Sequence, residues 1–301
     1  MYDGRAGVAL VRGLMAHAAL QMMHEGKDGG DLVERASEET LAECARSARE
    51  PTDSVLSSIG SIVRDVSSVV DHYRRRVMPV TSQWTLLGCE VPVWWVLREE
   101  TSVVGRVGNH PFRDEPQAAA LSSHVDALFL DDEGRPTIWD WKWRRHSPSI
   151  ADRTRNLQMA AYWGAMLMGQ VLLDSLPRNW KRLESVSPDC AGGWCQPDYK
   201  ITPVPRVCWV DLPSLKPYTR ATIGEDDSGR ATEFKKGDDR PLNKIIRPIR
   251  HDCSNVHAIE SALLQRADML DRAPVFIPQP NGCAHCECEP WCPRFDMPIT
   301  S

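Results

Sequence analysis

Apolar residues recur at helical spacing along VALVRGLMAHAALQMM, from Val8 to Met23, until Gly26, Gly29 and Gly30 interrupt the pattern. That periodicity predicts a first helix, and it carries His17. SEETLAECARSARE opens at Ser37 with a capping-box pattern, Pro51 breaks the periodicity, and a further helical stretch is expected from Ser54 to about Arg76. These two segments read as a helical insertion near residues 37–76. From Gln83 the texture becomes β-branched and aromatic, and QWTLLGCEVPVWWVL predicts a strand containing Glu90. A loop is expected from Gly105 to Pro116. SHVDALFL and PTIWDWKW then read as two strands joined by the turn-rich DDEGR, a hairpin signal. LQMAAYWGAMLMGQVLLDSL, from Leu157, has the pattern of one long amphipathic helix. Residues 177–205 are rich in Pro, Gly and Cys and predict a loop; RVCWVDL predicts a strand. The stretch from Pro213 to about Ile249 is polar, basic and irregular, and NVHAIESALLQRADML predicts a last helix before a Cys-rich tail. The element order predicts a mixed α/β core with helical decoration. The core is expected over residues 1–212, with the basic segment, final helix and tail of residues 213–301 closing on it.

Within the hairpin, WDWKW sets Asp140 and Lys142 among three tryptophans. Side chains alternate along a strand, so Ile138, Asp140 and Lys142 share one face while Trp139, Trp141 and Trp143 share the other. The tryptophan face is expected against a helix layer and the acid–base face in a wet site. If residue 130 pairs with residue 136 across DDEGR, paired residue numbers total 266 and Asp126 stands opposite Asp140. Two carboxylates so placed have β-carbons roughly 4.5–5.5 Å apart and repel unless a cation lies between them. Mg²⁺ or Mn²⁺ suits such a site, because it takes a few carboxylate oxygens and keeps waters. Lys142 on the same face could orient an attacking water or offset charge developing on a phosphoryl group. The competing reading is a salt-bridged, solvated sheet face, since Asp-x-Lys triplets are common.

Charge and cysteine content change the picture in two places. The formal net charge is −5, so contact with phosphate must come from local patches, and Lys142–Arg155 and Lys235–Arg250 are the candidates, each equally readable as solvated surface. No run of 18 apolar residues and no signal-peptide pattern occur, which predicts no membrane span and a cytoplasmic protein. Ten cysteines in a reducing compartment point to metal or cluster ligation where they bunch, which is in GCAHCECEPWC. Cys283 and Cys286 have C-x-x-C spacing, with Cys288 and Cys292 following. Such thiolates can hold an iron–sulfur cluster; zinc, on four thiolates or on three with His285, is the alternative. Cys190 and Cys195 read as loop thiols, and Cys44, Cys89, Cys208 and Cys253 as small buried hydrophobes.

These residues together resemble the RecB-type branch of the PD-(D/E)XK nucleases, which includes cluster-bearing exonucleases of CRISPR systems and bacterial recombination complexes. GLMAH looks like the branch's Gly-x-x-x-His, giving His17, and Glu90 in CEVPV looks like its strand acid. Asp126 in HVDALF matches the Asp of the hairpin, Asp140 and Lys142 match Asp-x-Lys, and Gln158 and Tyr162 in QMAAY match Gln-x-x-x-Tyr. The resemblance implies a restriction-endonuclease-like mixed sheet flanked by helices. It implies that Asp126, Asp140 and His17 bind Mg²⁺ or Mn²⁺, that Glu90 ligates or holds a metal-bound water, and that Lys142 acts on the nucleophile. Gln158 and Tyr162 would position DNA or support the site. Cys283, Cys286 and Cys292 resemble the C-terminal ligands of a [4Fe–4S] cluster. The branch's fourth ligand is a cysteine upstream of the motif histidine, and none stands between Met1 and His17. The implied activity is exonucleolytic cleavage at single-stranded or duplex DNA ends, with recombination or CRISPR-adaptation proteins as partners. There are departures from the pattern: Ser123, His124 and Val125 precede Asp126 where a Gly is usual, and Trp143 follows Lys142 where a small hydroxyl residue is usual. A different class of reading is a nucleic-acid-binding or interaction module that kept the fold without the chemistry, with zinc in the tail. Three converging charges at Asp126, Asp140 and Lys142 speak against it, because binding alone does not need them.

Overall fold

The computed structural model describes residues 7–46, 52–98, 119–143, 156–183, 193–249 and 256–272. Helix α1 (Val8–His24) is followed by α2 (Leu32–Arg46), α3 (Asp53–Arg76) and the short α4 (Met78–Thr81). α2 begins five residues before the capping-box pattern at Ser37, which lies inside the helix and is buried. Leu32, Val33 and Ala36 are all buried, so apolar contact carries the helix back toward the Gly29–Gly30 break. α3 starts where Thr52 caps it, its hydroxyl oxygen accepting from the Val55 N–H at 3.3 Å.

The central sheet has eight strands. β1 (Thr85–Arg98), β2 (Ala119–Leu130) and β3 (Pro136–Lys142) form an antiparallel meander. β4 (Gln170–Leu172), β5 (Trp180–Arg182) and β6 (Trp194–Pro197) extend one side, while β7 (Arg206–Asp211) and β10 (Ile246–Ile249) extend the other. The spatial order is β10-β7-β3-β2-β1-β4-β6-β5, with β3 and β7 parallel and every other neighbouring pair antiparallel. A separate hairpin, β8 (Thr222–Glu225) with β9 (Ala231–Phe234), precedes the short α6 (Leu242–Ile245). The basic stretch after Pro213 is therefore not irregular throughout: it holds this hairpin and supplies the edge strand β10. The expected loop at 177–205 likewise contains β5 and β6. Cys195 is a buried strand residue rather than a loop thiol, and Cys190 lies outside the described residues. So do the 105–116 stretch, Cys253 and the Cys-rich tail.

Both faces of the sheet are covered. On one, α1, α2 and α3 bury Met15, Leu20, Val66 and Tyr73 against Phe129, Trp139 and Trp141. On the other, α5 (Leu157–Met168) and α7 (Val256–Arg272) bury Met159, Trp163 and Ile259 against Trp95, Leu128, Ile138 and Trp209. The tryptophans of WDWKW do bury against a helix layer, as the pleat requires. The opposite face is not wet, however: Ile138 and Asp140 are fully buried beneath α5 and its neighbours. A strand in a parallel pair, with helices on both faces, loses the apolar-in, polar-out contrast that an antiparallel hairpin alone suggests.

The long amphipathic helix expected from Leu157 stops at Met168, and every residue from Met159 to Met166 is buried. The carbonyls of Met166 and Leu167 are taken by the Tyr199 hydroxyl and the Gln196 side-chain amide, both at 2.9 Å. Gly169 then passes so close to β1 that an added β-carbon would lie 2.3 Å from the Trp94 carbonyl oxygen, and the chain turns into β4. Gly169→Ala is accordingly expected to cost about 1–3 kcal/mol, because backbone rather than a movable side chain must yield. Gly13→Ala, in α1 with nothing near its added carbon, should instead stabilise by about 0.5–1 kcal/mol. Urea midpoints for the two variants test the contrast.

Candidate metal centre

The hairpin register is the expected one: Leu130 pairs with Pro136 and Ala127 with Trp139. One step further, where Asp126 and Asp140 would face each other, the regular ladder ends. The Trp141 N–H donates to Asp126 Oδ2 at 2.6 Å, so the carboxylate itself takes the place of a strand carbonyl. At the same level β1 and β2 change face together. Cys89 and Ala127 pack toward α1–α3, whereas Val91 and Val125 pack toward α5 and α7. Between them Glu90 has φ of 47°, a left-handed conformation uncommon for a residue with a side chain. Such strain in a strand is tolerated where the surroundings determine it, and it clusters at functional sites.

This kink brings the strand acids to the end of α1. One ligand atom from each of His17, Glu90 and Asp126 lies within 4.8 Å of the others. His17 Nδ1 is 3.6 Å from Asp126 Oδ2, and His17 Nε2 is 2.6 Å from the Trp141 carbonyl oxygen. Asp140 adjoins this group, fully buried, with Lys142 Nζ 2.8 Å from its Oδ1. Apart from that ion pair, neither Asp140 oxygen has a hydrogen-bond partner among the described residues. Glu90 is exposed and forms the open side.

Burial governs the protonation of these groups. It pushes the Asp126 carboxyl up to about 7, against the opposing pull of the Lys142 ammonium and the Trp141 N–H. Asp140 is also pushed up to about 7, first by burial and then by the neighbouring Asp126 charge, with Lys142 opposing. His17 is lowered by burial and favours the neutral imidazole. Two carboxylates that resist ionisation when alone form a centre that a cation would stabilise. Hard carboxylate oxygens with a neutral imidazole suit Mg²⁺ and, more closely, Mn²⁺. Asp140 Oδ2, which stands outside the Lys142 ion pair and has no hydrogen-bond partner, is what such a group would satisfy, so the residues present fit a divalent ion.

On α5, Gln158 Nε2 donates to the Tyr162 hydroxyl at 2.8 Å, the spacing of four placing both on one helix face. Tyr162 also bonds Ser123 and is pushed up to about 12, chiefly by burial and then by the Asp140 charge. Ser123 thus supports the tyrosine beside the acids. Trp143 is half-buried with the Arg12 guanidinium 5.8 Å and Lys216 Nζ 6.0 Å from its ring centroid. Asp65 ties those two cations together, at 3.3 and 2.8 Å.

A family model of the PD-(D/E)XK nuclease superfamily matches residues 3–293. The chain belongs to that superfamily. Its members are typically nucleases that use Mg²⁺ or Mn²⁺, and DNA is the substrate the membership implies. The mixed sheet flanked by helices agrees with the superfamily fold. A search of curated proteins finds no match. Among the described residues no helix is long and apolar enough to cross a membrane.

His24, Tyr73 and the Trp141 peptide were not legible as parts of this centre. The ring of His24 stacks on Trp141 at 5.8 Å, and its Nε2 lies 2.8 Å from the Tyr73 hydroxyl. Its spacing of seven from His17, two turns along one helix face, was the available signal. Burial lowers His24 to about 4. Its unfolded form protonates near 6.5, so the stability it contributes is complete above that pH and is lost as pH falls toward 4. The loss amounts to about 3 kcal/mol. Subtracting the stability–pH curve of His24→Phe from that of wild type should expose this slope between pH 4 and 6.5. A flat difference would show that His24 is not held neutral.

Proposed function

We propose that the protein is a metal-dependent DNA nuclease of the RecB-type branch, acting as an exonuclease on single-stranded or duplex DNA ends in repair, recombination or CRISPR-like processing. The observation that carries this reading is the convergence of His17, Glu90 and Asp126 beside the buried Asp140–Lys142 pair. Asp126, Asp140 and His17 would hold Mg²⁺ or Mn²⁺, with Glu90 at the open side. Bound there, the ion supplies Lewis acidity to a phosphoryl oxygen and lowers the pKa of water. Asp140 keeps the Lys142 ammonium at the inner wall, where it orients the attacking water and offsets negative charge growing on the phosphoryl oxygens as the P–O bond breaks. Gln158, exposed on α5, faces the DNA strand, while the buried Tyr162 hydroxyl, accepting from Gln158 Nε2, holds that amide and supports the site. The buried Asp140 and the half-buried Lys142 limit bulk water at the inner side, which strengthens each electrostatic contact.

The C-terminal cysteines belong to the same proposal. Cys283, Cys286 and Cys292 would bind a [4Fe–4S] cluster with a structural role, the fourth ligand being Cys288 or an upstream residue; Zn²⁺ is the competing occupant. Iron, sulfide and zinc analysis after anaerobic purification separates these, and Cys288→Ala compared with Cys283→Ala identifies the ligand.

Activity is tested with end-labelled single-stranded, duplex and closed circular DNA, with chelator and then with restored Mg²⁺ or Mn²⁺. Release of nucleotides from linear but not circular DNA is the expected result. Cutting of the circle would make it an endonuclease. Tight DNA binding with no cleavage under any metal condition would replace the proposal with a binding module.

A further inference from the structure

Arg12 on α1 and Lys216, shortly after β7, are distant in sequence, and neither lies in a basic stretch of the chain. The fold brings both to Trp143, which packs against the α1–α3 core. A tryptophan ring attracts cations placed over it, so the indole holds two otherwise flexible side chains at one point of the surface. Asp65 on α3 bridges them: its Oδ1 accepts from Lys216 Nζ at 2.8 Å, and its Oδ2 lies 3.3 Å from the Arg12 guanidinium. That hydrogen bond from Lys216, aided by the Arg12 and Arg64 charges, holds the Asp65 carboxyl below the usual carboxylate range, so it is an anion at neutral pH.

One carboxylate does not use up this cluster. A guanidinium carries five N–H donors and an ammonium three. Arg12 Nε is buried without a hydrogen-bond partner among the described residues, and the exposed Arg64 brings a third cation to Asp65. Three positive charges therefore meet one negative charge on a partly exposed surface, in a chain whose formal net charge is −5. Ion pairs this exposed contribute little stability, and a network built for stability alone would match its charges.

The cluster adjoins the metal centre along two elements. Trp143 directly follows Lys142. Arg12 precedes His17 on α1 by five residues, which is about 7.5 Å along a helix axis. Phosphates succeed one another on a duplex strand at about 3.4 Å of rise, so that distance spans about two nucleotides.

We propose that Arg12 and Lys216, held by Trp143, form a subsite for a backbone phosphate of the DNA strand close to the one being cut, and that Asp65 fills this subsite as an internal anion until DNA displaces it. A carboxylate and a phosphodiester make the same demand on the two cations. Asp65 thus keeps them pre-set for a phosphate, and it weakens DNA binding by competing for them. The subsite presupposes the proposed action on DNA.

Fluorescence anisotropy of a labelled single-stranded oligonucleotide, with the full chain in chelator, reads binding without cleavage. Each variant is first shown to be folded by circular dichroism. Arg12→Gln and Lys216→Gln should each raise Kd by about 5-fold and flatten the dependence of log Kd on log salt by about 0.7. Trp143→Leu, which keeps an apolar side chain on the core but removes the ring, should raise Kd by about 3-fold. Asp65→Asn should act in the opposite direction and lower Kd by about 3-fold. Glu43→Gln, which removes a carboxylate paired with Arg46 on α2, is the control for overall charge and should change Kd by less than about 1.5-fold.

Unchanged Kd in Arg12→Gln and Lys216→Gln would overturn the subsite. So would weaker or unchanged binding in Asp65→Asn, or equal gains in Asp65→Asn and Glu43→Gln. Wild-type binding in Trp143→Leu would overturn the holding role of the ring. With metal present, the same differences should appear in KM, with kcat within about 2-fold of wild type; a loss confined to kcat would overturn a binding role. A protein that shows these binding differences yet never cuts DNA overturns the nuclease reading alone. One that cuts DNA while every variant matches wild type overturns the subsite alone, and one that neither binds nor cuts DNA overturns both.

Discussion

Asp140→Asn is expected to lower metal-dependent DNA cleavage by at least about 10²-fold, while the metal-free variant melts no lower than wild type. The second half of that result distinguishes a functional carboxylate from a structural one. Asp140 is fully buried, and its oxygens have no hydrogen-bond partner beyond the ion pair with Lys142. Burial pushes its carboxyl up to about 7, so the ionised form is costly to the fold and Asn removes that cost. Lys142→Ala should lose activity to a similar degree, but with the opposite effect on Asp140. Without the ammonium, its carboxyl moves still further up, because the charge that offsets its burial is gone. Wild-type cleavage rates in either variant would remove the pair from the reaction. Collapse of the Asp140→Asn fold would mean that the carboxylate is held for stability.

The second large effect is stabilisation by metal. At about one hundred times Kd, Mg²⁺ or Mn²⁺ should stabilise the protein by about 2.7 kcal/mol, which corresponds to roughly 5 °C in Tm for a chain of this size. The source is the relief of repulsion between Asp126 and Asp140, whose charges oppose one another in a buried setting. Asp126→Asn and Asp140→Asn should each abolish most of the shift, and His17→Ala should reduce it. Glu90→Gln should have the smallest effect, since Glu90 is solvent-exposed. Scanning fluorimetry of protein stripped with chelator, with and without added metal, measures all five. A wild-type protein whose Tm ignores both ions would contradict a metal site formed by these residues.

Local pattern alone determined a good deal of this protein. The periodicity of residues 8–23 and 54–76 marked α1 and α3, because a helix that buries one stripe must repeat its apolar residues every three to four positions. DDEGR between two alternating runs fixed the register of the β2–β3 hairpin, since a tight turn leaves few ways for the strands to pair. From that register followed the adjacency of Asp126 and Asp140, and from the pleat followed the burial of Trp139 and Trp141 against helices. What the tertiary structure decided involved elements distant in the chain. A second helix layer made the acid face of β3 dry, which nothing in WDWKW could announce because α5 and α7 supply the cover. The strand that follows α5 arose from a close approach of Gly169 to β1, a contact 75 residues away from Trp94 in sequence that overrides the helical pattern of its own segment. The face switch at Glu90 and Asp126 breaks the simple alternation on which strand reading depends. The Trp141 peptide became the link between Asp126 and His17 for the same reason: main-chain hydrogen bonds carry no residue-type signature, so only the packing of α1 against the hairpin could reveal which peptide holds the site.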